Sequence, residues 1–155
     1  MLRSAAMMQD DVETIAAATD MLAEAKLTPE LRNEALYFRA KAYLNQQADK
    51  KAMNDLQALA KDTRTLYGAE AKYLVALQLY KAHEYAAAEK EILNFIEQST
   101  PHAYWLARSF ILLSDVYVSM DKKLDARQYL LSLQQNYHAD DDIEQMINER
   151  LEKLK

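Results

Sequence analysis

Four positions recur at fixed offsets along this chain: Ala40, Tyr43, Ala52 and Leu56; then Ala76, Leu79, Ala88 and Ile92; then Ser114, Tyr117, Ala126 and Leu130. Each set follows one ruler of +3, +12 and +16 from its first member, and the sets are stepped by 36 and then 38 residues. A period of roughly 20–50 residues marks stacked repeats, each too small to bury its own apolar face without neighbours. Offsets of three and four keep side chains on one face of a helix. The longer step between the second and third members crosses a turn. The unit is therefore a pair of helices, with Ala40, Ala76 and Ser114 on first helices facing Ala52, Ala88 and Ala126 on second helices. Small residues there let two backbones approach, and the larger members fill the space beside the crossing.

Turn residues are nearly absent, with one glycine and two prolines in 155 residues. A sheet protein needs a turn about every 8–12 residues, so strands are excluded and the fold class is all-α. Half of the residues are hydrophobic, enough to fill a core. First helices are expected at about 29–45, 66–82 and 101–119, and second helices at about 48–62, 84–98 and 121–136. Thr28-Pro29 and Thr100-Pro101 have the pattern of a hydroxyl N-cap followed by proline at the first helical position. Thr65 is the cap expected for the middle unit. Short links such as Gln46-Gln47-Ala48 and His83-Glu84 make the paired helices antiparallel.

Several function classes are disfavoured at this level. The chain has no cysteine, which removes disulfides and thiolate metal sites. A net charge of -5 weighs against nucleic acid, whose binding needs clustered Lys and Arg. No run of 18 apolar residues is present, so no membrane-spanning helix is expected. Residues Met1 to Met8 lack the apolar stretch of a secretory signal. His83, His102 and His138 are scattered, without a second histidine at ligand spacing. One glycine cannot build a nucleophile elbow or a phosphate-cradling loop. No cofactor, metal or enzymatic activity is expected.

The ends differ. The ruler runs upstream onto Ala5, Met8, Ala17 and Met21, so residues 1–27 resemble a partial repeat with a second helix at about 10–26. Such an edge leaves an apolar face for upstream repeats or another subunit to cover. The expectation is that the chain is the C-terminal part of a larger protein. Residues 139–155 read as one amphipathic capping helix with a buried stripe of Ile143, Met146, Ile147, Leu151 and Leu154. Asp141 and Glu144 have capping-box spacing, and the run Asp140 to Asp142 suits the positive end of a helix dipole.

The ruler resembles the tetratricopeptide repeat (TPR) family. Its members match the small eighth, large eleventh, alanine twentieth and large apolar twenty-fourth positions of that repeat. Tyr85 matches the aromatic seventeenth position. The chain departs from the pattern where Leu36, Lys72 and Phe110 replace tryptophan, and where Gln47, His83 and Asp121 replace the usual glycine. Divergent repeats of this sort are common in bacterial proteins, some of them at the cell envelope. The resemblance implies a right-handed superhelical array of antiparallel helix pairs, an α-solenoid. It would form one domain over 1–155, with a partial repeat at 1–27, full repeats at 28–64, 65–99 and 100–138, and the cap at 139–155.

In that family the first helices line a groove that binds a partner segment. Carried over by position, the groove includes Glu34, Tyr37, Lys41, Leu44 and Asn45, then Glu70, Tyr73, Leu77, Tyr80 and Lys81, then Arg108, Ile111, Asp115, Val118 and Ser119. The carboxylate clamp of chaperone-tail binders is not supported, because Tyr37, Lys41 and Leu112 do not fit it and only Arg108 does. The resemblance implies a protein–protein interaction module that binds a peptide or helix. The alternative is a structural spacer within the parent protein, and a third reading is a small-molecule or glycan pocket beside Tyr73 and Tyr80. The compartment is open: cytoplasmic, or periplasmic if the parent carries a signal peptide.

Overall fold

A computed structural model describes residues 8–155, and among them every regular element is a helix. In chain order these are α1 (Met8–Leu22), α2 (Pro29–Asn45), α3 (Asp49–Leu59), α4 (Leu66–Lys81), α5 (Tyr85–Glu97), α6 (Ala103–Ser119), α7 (Lys123–Asn136) and α8 (Ile143–Lys153). The chain is all-α. No described helix is long and apolar enough to cross a membrane. It divides into two compact units, Met1–Val75 and Ala76–Lys155, with the boundary inside α4. In the first unit α2 packs against α1 and α3. In the second, α6 packs against α5 and α7, and α8 lies on α6 and α7.

The ruler is a burial pattern. Ala40, Ala52, Leu56, Ala76, Ala88, Ile92, Ser114, Ala126 and Leu130 are each at most 1% exposed. Tyr117 is also buried, whereas Tyr43 and Leu79 are half-buried. The upstream extension needs a correction. Ala18 is the fully buried residue of α1, while Ala17 and Met21 are half-buried. The fully buried small residue of α1 therefore lies one position later than the ruler places it. Ala5 and the side chain of Met8 fall outside the described residues, and α1 ends at Leu22 rather than near 26.

The backbone repeats with the side chains. Gln47, His83 and Asp121 have φ of 61°, 62° and 61°, so each closes a first helix in the left-handed region. The next amide reaches back to the second ruler residue each time: Ala48 N to Tyr43 O at 2.8 Å, Glu84 N to Leu79 O at 2.9 Å, and Lys122 N to Tyr117 O at 2.7 Å. A bond spanning three residues accompanies each, from Gln47 N to Leu44 O, His83 N to Tyr80 O and Asp121 N to Val118 O. These are three Schellman motifs, which satisfy carbonyls the helix leaves open. Glycine is the usual residue at this position because a Cβ is strained there. Gln47→Gly is therefore expected to stabilise the chain by about 0.5–1 kcal/mol, after the entropy glycine adds to the unfolded state. A thermal melt checks it, and a fall in Tm would contradict the strain.

Helix starts follow local chemistry. Thr28 caps α2 by accepting from Leu31 N at 3.2 Å, with Pro29 at the first turn. Thr65 caps α4 by accepting from Gly68 N at 2.9 Å, and its hydroxyl donates to Asp62 O at 2.9 Å. Thr100 does not cap α6. Its Oγ1 accepts from His102 N at 3.2 Å, which turns the chain locally, and α6 starts at Ala103. The last helix also starts late, at Ile143 rather than 139. The Asp141 carboxylate accepts from Tyr137 Oη at 2.6 Å and from Ile143 N at 3.0 Å, and Asp142 accepts from Tyr104 Oη at 2.9 Å. These bonds hold the aspartates in a turn ahead of the helix, so no capping box forms. Desolvation, and then the bond to Asp141, pushes the Tyr137 hydroxyl up to about 12.

The apolar stripe of α8 does what its pattern predicts. Ile143 and Ile147 join Ala107, Ile111, Leu130 and Leu133 in one buried cluster, with Met146, Leu151 and Leu154 packed against it. The cluster fixes α8 on its unit and sets the wall of the site described next.

Candidate interaction cleft

The positions expected to face a partner divide between the two units, and they behave differently in each. In the first unit they are engaged internally. Tyr37 donates its hydroxyl to both oxygens of Glu70, at 3.0 and 3.1 Å. Lys41 Nζ lies 3.2 Å from Glu70 Oε2 and 5.6 Å from the centre of the Tyr37 ring. The Tyr37 ring also stacks on Tyr67, with centroids 4.4 Å apart. Glu70 is buried, and the shared Tyr37 hydroxyl and the Lys41 ammonium compensate the loss of water. Desolvation first, and then the Glu70 charge, raises the Tyr37 hydroxyl well above its ordinary range. Tyr73 is only 6% exposed. This network ties α2 to α4 and leaves little for a ligand to hold.

In the second unit the same helix positions open onto a cleft of about 930 Å³. The end of α4 contributes Tyr80, and the C-terminal half of α6 contributes Asp115, Val118 and Ser119. The buried Ser114 and Leu130 form its floor, and Ser114 Oγ is satisfied by donating to Ile111 O at 2.6 Å. The opposite wall is α8, through Glu149, Arg150, Lys153 and Leu154. Lys123, at the start of α7, closes one side. Two further expected positions, Leu77 and Lys81, are half-buried and exposed respectively and do not line the cleft.

An ion pair braces the cleft. Arg150 Nε and Nη2 donate to the two oxygens of Asp115 at 2.9 and 3.0 Å, and Nη1 donates to Met146 O at 3.3 Å. A guanidinium fork matched to a carboxylate fixes direction as well as distance. The pair thus sets the spacing of α6 and α8 where the cleft opens. Tyr80 is held from the side by Tyr85, whose ring stands 5.7 Å away at 54°.

The remaining expected positions are packing residues. Ile111 is 1% exposed and belongs to the buried cluster under α8. Arg108 is half-buried, donating from Nη1 to Tyr104 Oη at 2.9 Å, with its guanidinium 5.9 Å from the Tyr104 ring centre. Conversely, reading the chain alone misses the α8 wall, because the helical period assigns Glu149 and Lys153 to water. The one pointer was Arg150, which falls at the edge of the buried stripe.

The cleft presents apolar surface on Tyr80, Val118 and Leu154 with charged groups around it. That combination suits recognition of an amphipathic chain segment. Among the described residues, no three His, Asp or Glu side chains are grouped to hold a metal ion. Comparison with protein-family models, curated proteins and solved structures gave no match.

Proposed function

We propose that this chain is an interaction module built from TPR-like helix pairs, and that it binds a segment of another protein in the cleft of its second unit. One observation carries the reading: Tyr80, Asp115, Val118 and Ser119, all expected at partner-facing positions, line one open cleft against α8. Aromatic and aliphatic side chains with partial exposure give contact area, and the braced wall limits the ordering cost of binding.

Selection from a displayed random-peptide library tests this. Peptides enriched on the wild-type chain are expected to bind Tyr80→Ala/Val118→Asp at least about tenfold more weakly, the size of a modest hot-spot loss. Val118 is exposed, so the variant is expected to keep its helical circular dichroism. Equal binding to a folded variant would remove the cleft from the function.

The spacer reading draws on the first unit. There Tyr37, Lys41 and Glu70 bond to one another, so that unit acts as a rigid support. On that reading the two cleft substitutions leave the parent protein's function intact.

A further inference from the structure

The charges around the cleft are not equivalent once their internal partners are counted. Asp115 is committed to Arg150 in the bidentate pair, and Glu152 lies 3.1 Å from Lys155. Lys123 and Lys153 line the cleft and make no ion pair among the described residues. Glu149, also in the lining, makes no ion pair among the described residues. The cleft therefore offers two ammonium groups free of ion pairs against Glu149, with Glu152 held only in an exposed pair with Lys155, in a chain whose net charge is -5. Between them lies the apolar surface of Tyr80, Val118 and Leu154.

Resting on the binding function proposed above, we infer that the cleft takes an acidic amphipathic protein segment. Its apolar side chains meet Tyr80, Val118 and Leu154, and its carboxylates meet Lys123 and Lys153. Arg150 already has two of its five N–H groups on Asp115 and a third on Met146 O, so it mainly shapes the cleft while the two lysines select the charge. Long lysine side chains reach a partner's carboxylates from the margin while keeping their own stems over apolar surface. Because these charges are solvated, they act mainly on choice of partner and on encounter rate, and salt weakens them.

Fluorescence anisotropy with two synthetic amphipathic peptides of about 16 residues, long enough to form helix on binding, tests the inference. Both carry the same Leu and Ala face; one has Glu on its polar face and its twin has Lys. The wild-type chain is expected to bind the Glu peptide at least about tenfold more tightly than the Lys twin, with the gap narrowing from low to high salt. Lys123→Glu/Lys153→Glu is expected to reverse that order, and Val118→Asp to weaken binding of the Glu peptide. If the wild-type chain prefers the Lys twin, and Val118→Asp abolishes that binding, the acidic partner is refuted and the cleft stands. If neither peptide binds, both the inference and the cleft as a binding site fall.

Discussion

Replacing Arg39 by Met is expected to cost about 3–5 kcal/mol, because it strands a buried carboxylate. Arg39 Nε and Nη2 donate to Asp55 at 2.8 and 2.6 Å, and Nη1 donates to Thr19 Oγ1 at 3.1 Å. The Asp55 side chain is 5% exposed, against 20% for Arg39. Losing the arginine therefore leaves the deeper charge with no route to water, whereas losing the aspartate leaves a guanidinium that can still reach solvent. The bond to Asp55, the largest influence on it, holds the Arg39 guanidinium above its already high range. For a chain of this size the expected loss lowers Tm by roughly 6–20 °C. Arg39→Met/Asp55→Leu is expected to recover most of it, since the desolvation cost disappears with the charges. Thermal melts of the two variants check this. A double variant as weak as Arg39→Met would mean that packing, not the stranded charge, dominates.

Gly68→Ala is the second large effect, and its sign is decided by magnitude. Within a helix, alanine is favoured over glycine by about 1 kcal/mol. Against that, a Cβ on Gly68 would overlap the backbone carbonyl oxygen of Asp62 and lie 2.7 Å from Thr65 Oγ1. The carbonyl also accepts from Thr65 Oγ1, which itself accepts from Gly68 N, so relief requires breaking the cap of α4. Overpacking costs about 1–3 kcal/mol and sometimes more, and a lost hydroxyl cap about 1 kcal/mol. The expected net loss is about 2 kcal/mol, or roughly 4–8 °C in Tm. A rise in Tm would show that the connection shifts freely. The one glycine thus sits inside a helix, where propensity disfavours it, because of a close backbone approach. Among the described residues, the four left-handed positions that favour glycine hold Gln47, His83, Ser99 and Asp121 instead.

That contrast shows what could be read from the chain and why. The ruler was legible because residues buried at helical spacing leave a periodic mark, and nine of its members are at most 1% exposed. The helices themselves were legible for the same reason, and α2 packs on α3 and α6 on α7. The fine structure of the ends was not. The late start of α8 depends on Tyr104 and Tyr137 holding Asp142 and Asp141, and the Tyr104 bond joins residues far apart in sequence. Of the positions expected to face a partner, Tyr80 and Asp115 lie at the cleft, but Tyr73 and Ile111 are buried. On α6, burial extends from Ala107 and Ile111 to Ser114, so the core takes a wider face than a position-by-position resemblance assigns to it. The α8 wall was hidden because a helix with a polar stripe reads as a solvated cap. Its role depends on Arg150 meeting Asp115, 35 residues earlier.

The most direct test is an amide chemical-shift map of the chain titrated with a peptide selected from the library. Perturbations are expected at Tyr80, at Asp115 through Ser119, at Lys123 and along Glu149 to Leu154, with α2 unaffected. Shifts centred instead on Tyr37 and Lys41, with the α6 and α8 amides unmoved, would contradict the cleft as the working surface.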